Sequence, residues 1–138
     1  HETEMARGSF GLAQDYVANR IDSGDIALKL EVGEHLAACG VIRPRVLVRS
    51  SHVGELLILV HPRARRRGVG QTLMSHLKIA ACARSALRKL SVRVNEDDRA
   101  LLALLGGQEG WVMERIEHNA LCIDAVDVAV QVWAHELP

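Results

Sequence analysis

The chain has few of the residues that would mark several large classes of protein. Aromatic residues make up 3% of its 138 residues, whereas proteins that hold single-stranded nucleic acid commonly stack bases on aromatic side chains. No apolar run is long enough to cross a bilayer, and the first residues lack the basic and apolar segments of a secretory signal. We therefore expect a cytoplasmic protein with no nucleic acid and no membrane among its partners.

Cysteine is also scarce. The three cysteines, Cys39, Cys82 and Cys122, are odd in number and far apart, and they form no C-x-x-C pair. This usage predicts buried free thiols in a reducing compartment. The seven histidines are scattered without ligand spacing, so no metal site is expected.

The length of the chain predicts one domain, because 138 residues can bury a core without disulfides or metals. Residues 1–10 are expected to be a disordered N-terminus or the remnant of an expression tag. Residues 11–138 are expected to form the single domain.

Charge is unevenly distributed although the formal net charge is zero. Residues 43–93 contain twelve Arg or Lys residues and a single acid, Glu55, while acids outnumber bases in both flanking segments. A central basic block favours a polyanionic ligand. Nucleic acid is the competing interpretation, and the low aromatic content and the acidic flanks weaken it.

Hydrophobic patterns predict a chain of mixed strands and helices. Helical spacing predicts helices over residues 11–22 and 69–85, and a third, short helix that ends near 105 after the polar residues 95–98. Apolar runs and alternation predict strands over residues 26–31, 35–41, 55–60, 87–95, 111–122 and 126–136. Residues 45–50 are a further short strand or an edge extension, and no convincing strand precedes the first helix. The helix between residues 60 and 87 makes the strands on either side of it parallel neighbours.

The most informative stretch is the strand at residues 55–60 with the arginine-rich loop and helix that follow it. Pro62 cannot donate to a ladder, so pairing should end there. Gly68 and Gly70 allow a close approach of backbone to ligand, and a helix beginning at Val69 or Gly70 adds unpaired N–H groups and its positive dipole end. Together these features predict a phosphate site. A Walker A loop is excluded because no Gly-Lys-Ser/Thr follows, and the alternative is an ordinary strand-to-helix turn with solvated arginines.

This stretch resembles the GNAT superfamily of N-acetyltransferases, whose coenzyme A signature is Gln/Arg-x-x-Gly-x-Gly/Ala after a strand that ends in a Val-x-Pro-like step. Here the signature runs from Arg65 to Gly70, after Val60-His61-Pro62. The resemblance implies an α/β fold with a mixed, twisted β-sheet flanked by helices, its first strand short or missing. It also implies an enzyme that uses acetyl-CoA as acyl donor and acetylates a primary amine of a small molecule or peptide by direct transfer. A homodimer is one way to complete the acceptor groove.

The resemblance also assigns the cofactor residues. The backbone of Ile58, Leu59 and Val60 would pair with pantetheine in a gap between two parallel strands, and an N–H near Leu59 would polarise the thioester carbonyl. The pyrophosphate would be held by the loop and the helix start, which comprise Arg65, Arg66, Arg67, Gly68, Val69, Gly70 and Gln71. Asn95 matches the Asn that the family often places after the next strand.

Catalysis has weaker support in the sequence than cofactor binding. Glu55 is the candidate general base, the alternative being an ordinary charged residue at the end of a strand. The Tyr that many relatives place in the late helix is missing, since its position falls on Leu102 or Gly106, and the Glu of the strand before Asn95 is also missing. Water or His118 would then act as the acid. A regulatory module that binds acetyl-CoA and catalyses weakly is the second interpretation.

Overall fold

The computed structural model describes residues 24–64 and 68–138, with the backbone alone described at residues 119 and 120. The expected N-terminal segment, the predicted helix over residues 11–22 and any strand before it lie outside these residues. Arg65, Arg66 and Arg67 also lie outside them.

The described residues form one mixed sheet of six strands in the order β1-β2-β3-β4-β6-β5. Its strands are β1 Ile26–Val32, β2 His35–Pro44, β3 Val53–Val60, β4 Lys89–Asn95, β5 Trp111–Ile123 and β6 Val126–Glu136. Strands β3 and β4 are parallel neighbours, as predicted, and the other neighbouring pairs are antiparallel. The predicted mixed α/β fold is therefore confirmed.

Two helices connect strands of this sheet. Helix α1, Val69–Cys82, links β3 to β4, and its buried stripe is Val69, Leu73, Met74, Leu77 and Ala81. Helix α2, Arg99–Gly106, begins after Asp98, whose carboxylate accepts a hydrogen bond from the Leu101 N–H at 3.1 Å. This bond satisfies one of the free donors of the first turn. Across residues 24–64 and 68–138, no helix combines the length and the apolar character needed to span a bilayer.

Side chains alternate between the two faces of the central strands. On β3, Leu56 and Ile58 belong to the large core cluster that contains the buried stripe of α1. Leu59 faces the other way and packs against the small cluster of Cys39 and Val41. The face of the sheet opposite α1 therefore carries Glu55, Leu57 and Leu59 from β3.

The prediction of a strand or edge extension at residues 45–50 is wrong. Strand β2 ends at Pro44, and the Arg45 N–H donates to the Val53 carbonyl at 3.0 Å, which closes a loop. Within the loop a 3₁₀ turn spans Val48–Ser50. The apolar residues that resemble a strand are solvent-exposed, Val46 by 93%, because the loop projects beyond the sheet.

The prediction of three buried thiols is correct only for Cys39. All three cysteines are free, but Cys82 and Cys122 are exposed. Cys82 is the last residue of α1, next to rather than on the buried stripe. Cys122 lies near the tip of the β5–β6 hairpin, beyond the β6 residues that pair with β4.

Candidate cofactor site at the fork between two parallel strands

The parallel strands β3 and β4 separate halfway along the sheet. Their pairing runs from Val53 opposite Lys89 to Leu56 opposite Val92 and ends there. The remaining residues, 57–60 of β3 and 93–95 of β4, stay paired to β2 and β6 on their outer sides. We call the opening between these two segments the fork. Such a gap leaves backbone N–H and C=O groups without strand partners, which favours an extended ligand between the strands.

The register of β2 and β3 shows which groups of β3 face the fork. The His61 N–H donates to the Ala37 carbonyl at 2.8 Å, and the same register places Val60 opposite Ala38 and Leu59 opposite Cys39. Hydrogen-bonded and non-hydrogen-bonded pairs alternate along an antiparallel ladder. The backbone of Leu59 is therefore bonded to β2, and the donors that face the fork belong to its neighbours, Ile58 and Val60. Of the three residues expected to pair with pantetheine, the register therefore favours Ile58 and Val60 over Leu59.

The same reasoning applies to β4. The Leu137 N–H donates to the Arg88 carbonyl at 2.8 Å and the Glu96 N–H donates to the Ala129 carbonyl at 2.9 Å, so even-numbered residues of β4 bond to β6. Arg93 and Asn95 consequently turn their backbone toward the fork. The Asn95 carbonyl accepts from the Asp98 N–H at 2.9 Å, which places this residue at the open end of the fork.

The turn after β3 is stabilised by His61. Its Nδ1 accepts a hydrogen bond from the Arg63 N–H at 3.0 Å, and its carbonyl accepts from the Ala64 N–H at 2.8 Å. These bonds shape the 3₁₀ turn Pro62–Ala64, and the strand ends before Pro62 as predicted. The loop therefore leaves the sheet immediately beside the fork.

Helix α1 begins without a side-chain cap. Its N-cap residue, Gly68, has a φ of 73° and provides no side-chain hydrogen bond. The first helical bond at this end joins the Thr72 N–H to the Gly68 carbonyl at 3.0 Å. The N–H groups of Val69, Gly70 and Gln71 thus have no acceptor within the helix, an arrangement that favours an anion.

The two glycines of the signature serve different purposes. A Cβ at Gly68 would meet no atom within 4 Å, but its φ of 73° is one that other residues rarely adopt. A Cβ at Gly70 would lie 3.2 Å from Leu104 Cδ2 and 3.6 Å from Val60 Cγ2. Gly68 therefore shapes the turn, and Gly70 lets α1 start close against α2 and the end of β3.

Charged side chains cross the face opposite α1 at the level of the fork. Glu55 accepts from the Arg45 Nε at 2.9 Å, and Arg93 donates two bonds to Glu117, at 2.6 and 2.9 Å. The Arg93 hydrogen bond lowers the pKa of Glu117. The bond to Glu117, with a smaller contribution from the charge of Glu55, raises the pKa of Arg93. Arg93 on β4 is therefore coupled electrostatically to Glu55 on β3 and to Glu117 on β5.

Sequence reasoning missed Arg93 and Glu117. The signal for Arg93 was present, since it is the one charged residue among the alternating Leu90, Val92 and Val94 of its strand. Glu117 offered none, because it reaches Arg93 only through the strand order β4-β6-β5.

The positions at which a general acid was sought, Leu102 and His118 among them, and Leu90, where the family's strand Glu would fall, are spread over several elements. Leu102 lies on α2 and packs against the main core, and Leu90 is fully buried. His118 is exposed on β5. Neither leucine can transfer a proton. His118 lies one residue beyond Glu117, which is in register with Asn95, the last residue of β4.

Two cavities bounded by described residues lie at the opposite end of the sheet from the fork. One, of about 350 Å³, is lined by residues that include His52, Arg88 and Glu136. The other, of about 520 Å³, lies between the outer side of α1 and the last residues of the chain. Neither contains a residue of the fork, which is an open cleft between strands.

Comparisons with known proteins agree with this geometry. Residues 5–106 match the model of the acetyltransferase (GNAT) family, and no curated protein matches the sequence. The ribosomal-protein-alanine N-acetyltransferase from Brucella melitensis superposes with a TM-score of 0.79 at 20% identity, covering 94% of this chain and 80% of that one. The ribosomal-protein-S18-alanine N-acetyltransferase from Escherichia coli superposes with a TM-score of 0.75 at 18% identity, covering 99% and 94%.

A third solved structure, that of yncA from Salmonella typhimurium with its cofactor acetyl-CoA, superposes with a TM-score of 0.79 at 14% identity, covering 100% of this chain and 95% of that one. At these identities the structures show a shared fold. The match to the family model extends over most of the sequence and includes β3, the loop and α1. The chain therefore belongs to the acetyltransferase (GNAT) family.

Proposed function

We propose that this protein transfers an acetyl group from acetyl-CoA directly to a primary amine of a small molecule or peptide. The observation that supports the proposal is the fork, where no strand of the described residues pairs with the inner backbone groups of Ile58 and Val60, beside a helix start whose N-cap residue provides no side-chain hydrogen bond. Backbone donors along a strand suit the amides of pantetheine, and the helix start suits the pyrophosphate. The backbone donors of β3 lie in the fork, and the helix start lies beyond the carboxyl end of the same strand, so one extended ligand could contact both.

In this proposal the fork binds the pantetheine arm of the cofactor, and the start of α1 binds its pyrophosphate. Ile58 and Val60 would bond to the pantetheine arm from one side of the fork, and Asn95 would approach it from the other. The N–H groups of Val69, Gly70 and Gln71 would hold the pyrophosphate, and the arginines of the loop, from Arg63 to Arg67, would add positive charge. When bound, acetyl-CoA supplies an activated acetyl thioester.

Glu55 is the residue that we propose as general base. An alkyl amine is protonated near neutral pH and must lose a proton before it can attack a carbonyl. Glu55 lies opposite Ser91, one residue before pairing between β3 and β4 ends, on the face of the sheet opposite α1, and its side chain is exposed. Arg45 binds its Oε1 and so orients the carboxylate. Since the position of the family's Tyr falls on Leu102 or Gly106, and neither side chain can donate a proton, we propose that water supplies the proton on the leaving side.

The properties of Cys39 favour direct transfer over an acetylated enzyme. This cysteine is opposite Leu59 in the register, and burial raises the pKa of its thiol to about 11. The thiolate is the nucleophilic form, so Cys39 is unreactive near neutral pH. The amine would therefore attack the thioester itself.

A second candidate is a regulatory module that binds acetyl-CoA without efficient turnover. The missing Tyr favours it, since neither of the two positions where it could fall, Leu102 in the core or Gly106, has a side chain that transfers protons. The two candidates agree on cofactor binding and differ on whether any amine is acetylated.

The experiment that tests the proposal is isothermal titration of acetyl-CoA into the wild type, Gly68→Trp and Gly33→Trp. Gly33 is a matched control, since it also has a positive φ (64°) and a Cβ there would meet no atom within 4 Å, but it lies in the β1–β2 turn. We expect Gly68→Trp to weaken binding at least about tenfold, because the indole blocks the helix start. Gly33→Trp should bind like the wild type.

An amine screen with release of free coenzyme A as readout then separates the two candidates. Turnover with any primary amine supports the enzyme, and binding without turnover supports the regulatory module. A folded wild type that does not bind acetyl-CoA would contradict both.

A further inference from the structure

Strand β5 ends the described sheet and has an unusual outer side. It is 13 residues long, it pairs with β6, and no other strand within residues 24–64 and 68–138 lies beside it. The free backbone groups of long edge strands recruit other strands unless proline, shortness, charged side chains, bulges or a cover prevents it. Strand β5 contains no proline or glycine and exposes several apolar side chains, namely Val112 63%, Met113 40%, Ile116 39%, Leu121 39% and Ile123 41%.

We propose that β5 pairs antiparallel with β5 of a second copy of this chain, with the two-fold axis at Ile116. A two-fold axis perpendicular to a sheet makes the two edge strands antiparallel and brings the same surface of each copy together. The pairing would extend the sheet across both copies and cover the exposed backbone of each edge.

The charges of β5 select this register. With the axis at Ile116, Arg115 lies opposite Glu117 of the second copy, and Glu114 lies opposite His118 of the second copy. Each of these contacts occurs twice in the dimer. Opposite charges in facing positions stabilise a strand pair, and like charges destabilise it. Ile116 faces itself at the centre.

The neighbouring registers place like charges together. An axis at Arg115 or at Glu117 makes that residue face its own copy, and an axis between two residues is excluded because facing side chains of an antiparallel pair must lie on the same face. Arg115 and Glu117 share a face, since they pair with Val132 and Val130 of β6, two residues apart. The favourable contacts are therefore on one side of the extended sheet.

Arg115 is able to make this contact. It bonds to Glu117 of its own chain at 3.2 Å while 53% of its side chain stays exposed. Irregularities in the β5–β6 register lie on both sides of the proposed centre, between Met113 and Arg115 and between Glu117 and Leu121. Regular pairing is thus confined to a short central segment, and we expect a dimer whose population rises with concentration.

The first test is charge complementation followed by sedimentation equilibrium. Arg115→Glu places Glu opposite Glu, and Glu117→Arg places Arg opposite Arg, so each variant alone should be monomeric. An equimolar mixture restores both opposite-charge contacts and should form a heterodimer. Arg49→Glu, in the β2–β3 loop, is the matched control and should dimerise like the wild type. Thermal unfolding followed by circular dichroism shows whether each variant is folded.

The second test reads the register by disulfide formation, in a Cys82→Ser/Cys122→Ser background that removes the exposed thiols. Facing residues in an antiparallel pair have Cβ atoms close enough for a disulfide. Ile116→Cys should therefore cross-link to itself under mild oxidation, and Val112→Cys should not, because it faces residue 120. A wild type that stays monomeric at all concentrations overturns the proposal. So does a dimer that both charge variants retain, or one in which Val112→Cys cross-links as readily as Ile116→Cys.

Discussion

The two sides of the fork are built differently. On the β3 side the side chains are apolar and the groups that face the opening are backbone N–H and C=O of Ile58 and Val60. On the β4 side Arg93 and Asn95 also turn their backbone toward the opening, but their side chains are polar, and Arg93 is engaged with Glu117 at 2.6 and 2.9 Å. The first side presents main-chain groups with apolar side chains, and the second adds polar and charged side chains that a substitution would change.

This difference suggests how the proposed site separates binding of the cofactor from recognition of the acceptor and transfer of its proton. Backbone donors are positioned by the register, so almost any apolar sequence that keeps the strand would bind the same cofactor. Side-chain charges depend on residue type, so they are suited to selecting an acceptor and to moving protons. The recognisable motif is accordingly concentrated in the glycines and the strand before them, and on the β4 side the match to the family pattern is limited to Asn95.

The largest effect is expected for Glu55→Gln. If Glu55 is the base, turnover should fall by roughly 10²–10⁴-fold, while titrated acetyl-CoA affinity stays unchanged because Glu55 lies before the fork. Glu114→Gln is the matched control, since Glu114 is also exposed and ion-paired, at 2.7 Å to Lys89. Equal rates for Glu55→Gln and wild type would remove Glu55 from the mechanism.

The next effect concerns the close packing at Gly70. Gly70→Leu should lower the free energy of unfolding by about 1–3 kcal/mol, because the new side chain meets Leu104 and must displace it. Gly106→Leu, at the open end of α2 where a Cβ meets nothing within 4 Å, should cost less. Urea denaturation measures both. Adding Leu104→Ala should recover part of the loss in the Gly70 variant, and no recovery would mean that the cost arises elsewhere.

A smaller effect should distinguish neighbouring amides of β3. In the free protein the Leu59 N–H should exchange with solvent more slowly than those of Ile58 and Val60, because it is bonded to β2. Saturating acetyl-CoA should slow exchange at Ile58 and Val60 by roughly tenfold and leave Leu59 little changed. Residue-resolved NMR exchange provides the measurement. Slowing at Leu59 alone would contradict the register of β3 against β2.

The smallest effect is expected for Arg93→Gln on the other side of the fork. Glu117 has its pKa lowered from an ordinary value of 4.5 by Arg93. The pair therefore adds stability above that pH, and the contribution is lost as the pH falls through the lower folded value. The urea midpoints of wild type and Arg93→Gln should differ slightly at pH 7 and converge in acid. A constant difference at every pH would show that the charge of Glu117 is not involved.

Much of the fold could be predicted because the responsible signals are local. The alternation of valines indicated the observed bounds of β6, Val126–Glu136, and the stripe of apolar residues indicated the start of α1 at Val69. Pro62 and Gly68 indicated the turn between β3 and α1. The loop at 45–50 was mistaken for a strand because Val46, Leu47 and Val48 have strand-like composition, and only the closing bond from Arg45 to Val53 shows that they leave the sheet.

Local sequence was enough to define the family, the order of elements and the glycine-containing turn that we propose as the anion site, because helix starts, turns and strand periodicity depend on neighbouring residues. Which amides face the fork could be known only from the folded chain, since that depends on the pairing of β3 with β2. The same holds for the contact of Arg93 with Glu117, which is 24 residues away in the chain, and for the edge that β5 presents to solvent. These features depend on strand order and register, and both are set by packing between segments that are far apart in sequence.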